Sequence, residues 1–290
     1  MVTLQLSVVE PFDWPLALRM IGAHAVPGGE QLDPEIVAYT RVVDGTFGPL
    51  AVTIRAFPGQ LVIGIDGGPV RVTSEDAVSV DDRVRHWLDL DLDPAHAFAR
   101  FADDPTLGPL VKVRPGLRRV RYPASFESVV TTVLGQQVSL AAARTFAGRL
   151  VAAHGPAAPQ GLSAFPGPER LINASAPELQ STIGITGARA RTVLAVAELF
   201  AETGDWPIPL PESEWDDRAA QLLALPGIGP WTVNYLRMRL FGDPDAVPVG
   251  DLVLRRALGL AKDHDVPTAM ESWRPDRAYA TFQLWASQGW

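Results

Sequence analysis

Leu225-Pro226-Gly227-Ile228-Gly229-Pro230-Trp231-Thr232 decides how the second half of this chain is read. A helical pattern over Trp215–Ala224 ends there, a Gly-Ile-Gly turn follows, and a second helix starts at Trp231. Gly227 and Gly229 lack Cβ, so each can adopt φ > 0 and let the backbone approach a ligand closely. The helix that follows opens with unpaired N–H groups at the positive end of its dipole, which favours an anion such as phosphate. Alone, a Gly-x-Gly of this kind more often makes a plain turn between helices.

Asp251, twenty positions after Trp231, changes that balance. Ala246-Val247-Pro248-Val249 reads as an extended apolar segment that turns at Gly250 and enters a helix at Asp251. As structure, Asp251 is a good N-cap with Arg255 four residues on. The two readings are compatible, because a helix start favours a negatively charged side chain. An anionic carboxylate near a cleft can stabilise positive charge developing on a sugar, or orient a water for attack.

A chain of 290 residues with 47% hydrophobic and 20% charged side chains can bury sizeable cores, most plausibly in two domains. Nothing reads as a signal peptide or a membrane span, so a cytoplasmic location is expected. The absence of cysteine removes disulfides, iron–sulfur clusters and zinc thiolate sites, and five scattered histidines make no metal-ligand spacing. The net charge of −8 argues against a nucleic-acid partner, whose usual footprint is basic. Its distribution matters more: residues 1–108 hold 7 Arg and 16 Asp or Glu, whereas residues 109–290 hold 18 basic and 17 acidic side chains. Within the second part, Lys112–Arg121 is a basic run without an acid, and such a run is more often a solvated face than a binding patch.

Strand patterns cover Thr3–Val8, Ile36–Val43, Leu50–Ala56 and Leu61–Ile65, with a helix beginning after Asp13, so the first 90 residues read as a small α+β domain with an antiparallel sheet. From about Ser79 the pattern turns helical, with helices expected over Asp82–Leu90, Pro94–Ala102, Ser125–Leu134, Leu140–His154, Ala176–Ile183, Ala188–Glu202, Trp215–Ala224, Trp231–Leu240, Leu252–Leu258 and Ala278–Gln288. Gly135-Gln136-Gln137 falls at a junction, with Gly135 ending one helix and Ser139 capping the next.

The Leu225–Tyr235 hairpin together with Asp251 resembles the helix-hairpin-helix and catalytic aspartate of the base-excision DNA glycosylase superfamily, and within it the AlkA-type 3-methyladenine DNA glycosylase II group. Supporting pieces span the chain: Pro11-Phe12-Asp13-Trp14, Arg114-Pro115-Gly116-Leu117-Arg118, Leu134-Gly135-Gln136-Gln137-Val138-Ser139, and Trp285-Ala286-Ser287-Gln288-Gly289-Trp290. The resemblance implies an all-α glycosylase domain over residues 91–290 in two lobes, one of residues 125–243 and one of 91–124 with 244–290. It implies a monomeric enzyme that flips alkylated bases out of double-stranded DNA and hydrolyses the N-glycosidic bond, in association with the nucleoid. Asp251 would be catalytic. Trp231, Tyr235 and Trp285, with Trp14, Met20 and His24 from the N-terminal domain, would line the base pocket, where electron-rich aromatic faces attract a cationic alkylpurine. Gln136, Gln137, Gly227, Gly229, Trp231, Thr232 and Arg118 would meet DNA. No cofactor would be required, although Na+ or K+ could sit on the carbonyls of Leu223, Leu225 and Ile228.

Two departures within the family are readable. Bifunctional relatives carry a lysine after the second hairpin glycine, where this chain has Trp231, so no Schiff-base lyase activity is expected. Gln137 stands where AlkA-type relatives place an apolar wedge that fills the gap left by the flipped base, so plugging here would be by an amide. A non-catalytic lesion-binding protein and a glycosylase for oxidised or deaminated bases remain alternative readings.

Overall fold

The computed structural model describes residues 1–289; Trp290 of the terminal motif lies outside the described residues. Five strands, β1 Val2–Ser7, β2 Glu30–Asp33, β3 Ala38–Gly45, β4 Gly48–Phe57 and β5 Gln60–Asp66, form one antiparallel sheet in the order β1-β5-β4-β3-β2. Alternation along β4 and β5 sends Leu50, Val52, Ile54, Leu61, Ile63 and Ile65 to the buried face, and the register pairs Val52 with Ile65 and Ile54 with Ile63. The helix α1, Trp14–His24, lies in the β1–β2 connection, capped by the Asp13 carboxylate on the Leu16 amide.

Thirteen further α-helices follow among the described residues: α2 Ser74–Leu88, α3 Pro94–Phe101, α4 Gly108–Val113, α5 Ser125–Gly135, α6 Leu140–His154, α7 Pro168–Leu171, α8 Ala176–Ile183, α9 Gly187–Thr203, α10 Trp215–Leu223, α11 Pro230–Leu236, α12 Leu252–Ala257, α13 Val266–Ala269 and α14 Arg277–Ser287. The sequence patterns place most of these correctly. The exceptions have identifiable causes. α2 begins eight residues before the expected Asp82, because Thr73 and Asp76 form a capping box at a polar, apparently loop-like start. β2, α4, α7 and α13 escape the pattern because all four are short. The helix expected to run to Leu240 changes to a wider π-helical turn at Arg237–Phe241.

Two large buried clusters organise these elements. One joins α5, α6, α8, α9, α10 and α11 through residues such as Val130, Val133, Leu150, Val193, Phe200 and Leu236. The other is continuous from the sheet (Ile54, Ile63) through α1 and α2 to α14 (Phe282, Trp285). The N-terminal sheet therefore shares its core with the C-terminal helix. Tyr235 on α11 belongs to this second cluster, so α11 lies at the seam between the two.

Candidate active site

Asp251 caps α12: its Oδ1 accepts the Leu254 amide at 2.7 Å. The same Oδ1 accepts the indole Nε1–H of Trp285 at 3.0 Å, from α14. Both bonds fall on one oxygen, so among the described residues Oδ2 is the carboxylate oxygen left for a reacting group. Trp231 and Tyr235, one helical turn apart on α11, stack with ring centroids 5.2 Å apart and planes 19° apart. Tyr235 meets Trp285 at 6.0 Å. The four residues expected at the centre thus come together, with Trp231 and Asp251 half-buried and Tyr235 and Trp285 buried.

Beneath this floor the structure adds residues the sequence reading does not reach. Arg239, 1% exposed, donates to the Tyr235 hydroxyl at 3.1 Å and lies over the rings of Tyr122 and Tyr235. The Tyr122 hydroxyl is 3.3 Å from that of Tyr235. Burial raises the Tyr235 phenol well above its usual range, which keeps it a neutral hydrogen-bonding group. Arg239 stands four residues after Tyr235, a spacing that hints at a shared helix face; nothing in the sequence marks Tyr122.

The N-terminal candidates divide. His24 lines a cavity of about 60 Å³ together with Tyr122 and Arg239, and burial, then Arg239 and Arg144, lower its pKa to about 3, so the imidazole is neutral. Trp14 and Met20, 5% and 1% exposed, are packed in the core that also contains Tyr235 and Trp285, and the Trp14 indole donates to the Val37 carbonyl at 3.0 Å.

At the hairpin, Gly227 has φ +85°, and a Cβ there would meet Thr192 Oγ1 at 2.3 Å. Gly229 corrects the expectation of a second left-handed glycine: it is the N-cap of α11 at φ −112° and ψ 176°. A Cβ on Gly229 would meet nothing within 4 Å, so its value is an open surface for close approach. Leu223, Pro226, Gly227 and Pro230 are exposed, and the first-turn amides of Trp231 and Thr232 open toward the same turn by helix geometry. The Leu225 carbonyl accepts the Ile228 amide at 3.2 Å.

Two expected DNA contacts are revised. Arg118 is 2% exposed, its guanidinium donating to the Val9 carbonyl and lying 5.6 Å from the Phe12 ring centroid, so it braces the N-terminal segment and does not face a duplex. Its neighbours Arg119 and Arg121 pair with buried Asp89, so the Lys112–Arg121 run is largely internal. Gln136 spends its side-chain N–H groups on the Gly227 carbonyl and Thr232 Oγ1, each at 3.0 Å. Gln137 beside it is exposed, in a left-handed conformation at φ +55°.

Residues 3–126 match the AlkA N-terminal domain, and residues 130–272 match the HhH-GPD superfamily base excision DNA repair protein family. The chain is 30% identical over 212 residues to the DNA-3-methyladenine glycosylase of Bacillus subtilis (strain 168), covering 70% of each chain. It belongs to the helix-hairpin-helix base-excision DNA glycosylase superfamily. Within the superfamily it is 36% identical over 297 residues to the probable bifunctional transcriptional activator/DNA repair enzyme AlkA of Mycobacterium tuberculosis (strain ATCC 25618 / H37Rv), over 99% of this chain. The chain spans 57% of that relative's length. The 3-methyladenine DNA-glycosylase from Archaeoglobus fulgidus shares the superfamily fold with a TM-score of 0.79 at 19% identity, over 98% of this chain and 97% of that one. Leu225–Thr232 and Asp251 both lie within the residues that match the HhH-GPD family.

Proposed function

We propose that this chain is a monofunctional DNA glycosylase that removes alkylated purines, 3-methyladenine and its relatives, from double-stranded DNA in base excision repair. The observation that carries the reading is the Asp251 carboxylate, held through Oδ1 by Trp285 and the Leu254 amide and flanked by the Trp231–Tyr235 stack. The hairpin amides and the open face of Gly229 would grip backbone phosphates, and Gln137 would enter the gap left by the extruded nucleotide. An alkylated purine carries positive charge and stacks favourably on electron-rich rings. Its departure takes the C1′–N electron pair and neutralises that charge, so no acid is needed to protonate it. The Oδ2 of Asp251 stabilises the positive charge left on the sugar and orients a water whose oxygen bonds to C1′, its proton passing to the carboxylate or to solvent.

Trp231 occupies the position of the lyase lysine, so the reaction stops at the abasic site. A Na+ or K+ would be held by the Leu223, Leu225 and Ile228 carbonyls; neutral oxygen donors at an exposed turn suit a monovalent ion, which would help fix the hairpin against phosphate. The enzyme would act as a monomer, in the cytoplasm on nucleoid DNA; none of the described helices is long and apolar enough to cross a membrane. The test is Asp251→Asn, assayed for release of alkylated purines and for duplex binding. Release should fall by about 10²–10³ or more with binding retained. Release near the wild-type rate would overturn the mechanism, and abasic-DNA binding by a wild-type protein that releases no base would instead support a lesion-binding role.

A further inference from the structure

Gln136, Arg189 and Thr192 form a brace that ties two parts of the glycosylase surface together. The Gln136 carboxamide reaches across from the end of α5 to donate to the hairpin at two points, the Gly227 carbonyl and Thr232 Oγ1, each at 3.0 Å. Its own backbone carbonyl accepts a bond from the Arg189 guanidinium on the first turn of α9. From the next turn of α9, Thr192 Oγ1 donates at 2.8 Å to the carbonyl of Pro226, the residue directly before Gly227. The next residue after Gln136 is Gln137, exposed and held at φ +55°, a conformation that a non-glycine residue keeps only where its surroundings enforce it.

We propose that Gln136 is a positioning residue for base extrusion: with Arg189 behind it, it fixes the loop that presents Gln137 to the phosphate-gripping hairpin, so that grip and wedge act on DNA as one rigid body. This rests on the glycosylase reading above. Without the brace, the hairpin still holds phosphate and Asp251 still faces the sugar, but binding energy gained at the backbone is no longer transmitted to the stack. Extruding a paired base costs a few kcal/mol, and a base already unpaired costs least. The defect should therefore appear where extrusion is required and shrink where it is not.

The experiment compares release of 3-methyladenine analogues or other alkylpurines from a fully paired duplex and from the same strand with the lesion in a single-base bulge. The proteins are wild type, Gln136→Met and Arg189→Met, each with its melting temperature measured. The paired-to-bulged rate ratio is expected to fall at least about tenfold in Gln136→Met, and in the same direction, less steeply, in Arg189→Met. Arg189→Met also guards against a Gln136 variant that does not fold. Equal losses on both substrates in both variants would overturn the proposal, since a lost phosphate contact or general destabilisation weakens both alike. A wild type inactive on either substrate would instead defeat the glycosylase reading.

Discussion

The Trp285 indole nitrogen lies 3.0 Å from Asp251 Oδ1, on the oxygen that also caps α12. Trp285 therefore does more than pack against Tyr235: its indole N–H and the Leu254 amide both hold Oδ1, which fixes the rotation of the carboxylate and leaves Oδ2 outside these two bonds. Trp285→Phe keeps an aromatic ring and removes the N–H. A hydrogen bond to a charged group contributes about 1.5–3 kcal/mol, so single-turnover base release should slow by about 10- to 100-fold. Binding to an abasic-site duplex should change little. An unaltered rate would show that α12 alone orients Asp251.

The two hairpin glycines should respond in opposite ways. Gly227→Ala places a Cβ 2.3 Å from Thr192 Oγ1 at φ +85°, and should destabilise the fold by on the order of 2 kcal/mol, read by chemical denaturation. Gly229→Ala has room and an ordinary φ, so its melting temperature should match wild type. Its methyl group instead projects from the open face of the hairpin, and duplex affinity should fall. Equal stability losses in the two variants would contradict this assignment.

Gln137 carries a conformation better suited to glycine. Gln137→Gly should relieve about 1 kcal/mol of backbone strain and raise the melting temperature, while release from fully paired lesion duplex falls. A variant that is both more stable and fully active would remove Gln137 from base extrusion.

Burial, then the nearby Arg121, hold His86 down to about pKa 3, with its Nε2 donating to the Leu240 carbonyl at 2.9 Å; burial holds His24 equally low. In the unfolded chain each takes up a proton near pH 6.5, whereas the folded protein does so only near pH 3, so stability is present above pH 6.5 and is lost as pH falls toward 3. Glu30, raised to about 7 by burial, acts in the opposite sense between pH 7 and 4.5. Comparing His86→Gln with wild type isolates one histidine: between pH 5.5 and 4, the wild-type unfolding free energy should fall more steeply by about 1.4 kcal/mol per pH unit. Parallel curves would mean that His86 is protonated in the folded state.

Trp231 at the lysine position predicts abasic products and no strand cleavage. Incubation with lesion duplex and borohydride should trap no covalent protein–DNA adduct. A trapped adduct would require another amine at the sugar.

The central site was legible because its signals are local. Gly227-Ile228-Gly229, Trp231 and Tyr235 lie in one short segment, and Asp251 doubles as a helix cap whose N-terminal signal is visible in sequence. Arg118 was misread because a basic run looks alike whether it faces solvent or closes onto Asp89 and Val9, which are remote in sequence. Gln136 was placed at the right junction, but only the approach of α5 to the hairpin shows that its amide is spent inside the protein. Tyr122 and Arg239 are out of reach for a related reason: burial and tertiary contact define their roles, and the spacing of Arg239 four residues after Tyr235 marks only a shared helix face.

The core that runs from β1 and β5 to α14 sets the order in which the site can mature during synthesis. Strands near the start of the chain wait for Phe282 and Trp285 to cover them, and the aspartate waits for the same tryptophan to fix its oxygen. During synthesis the hairpin cluster built from α5 to α11 can close first, whereas the Asp251–Trp285 bond forms only once α14 has emerged. The hairpin turn can therefore be complete before the Asp251 carboxylate is fixed.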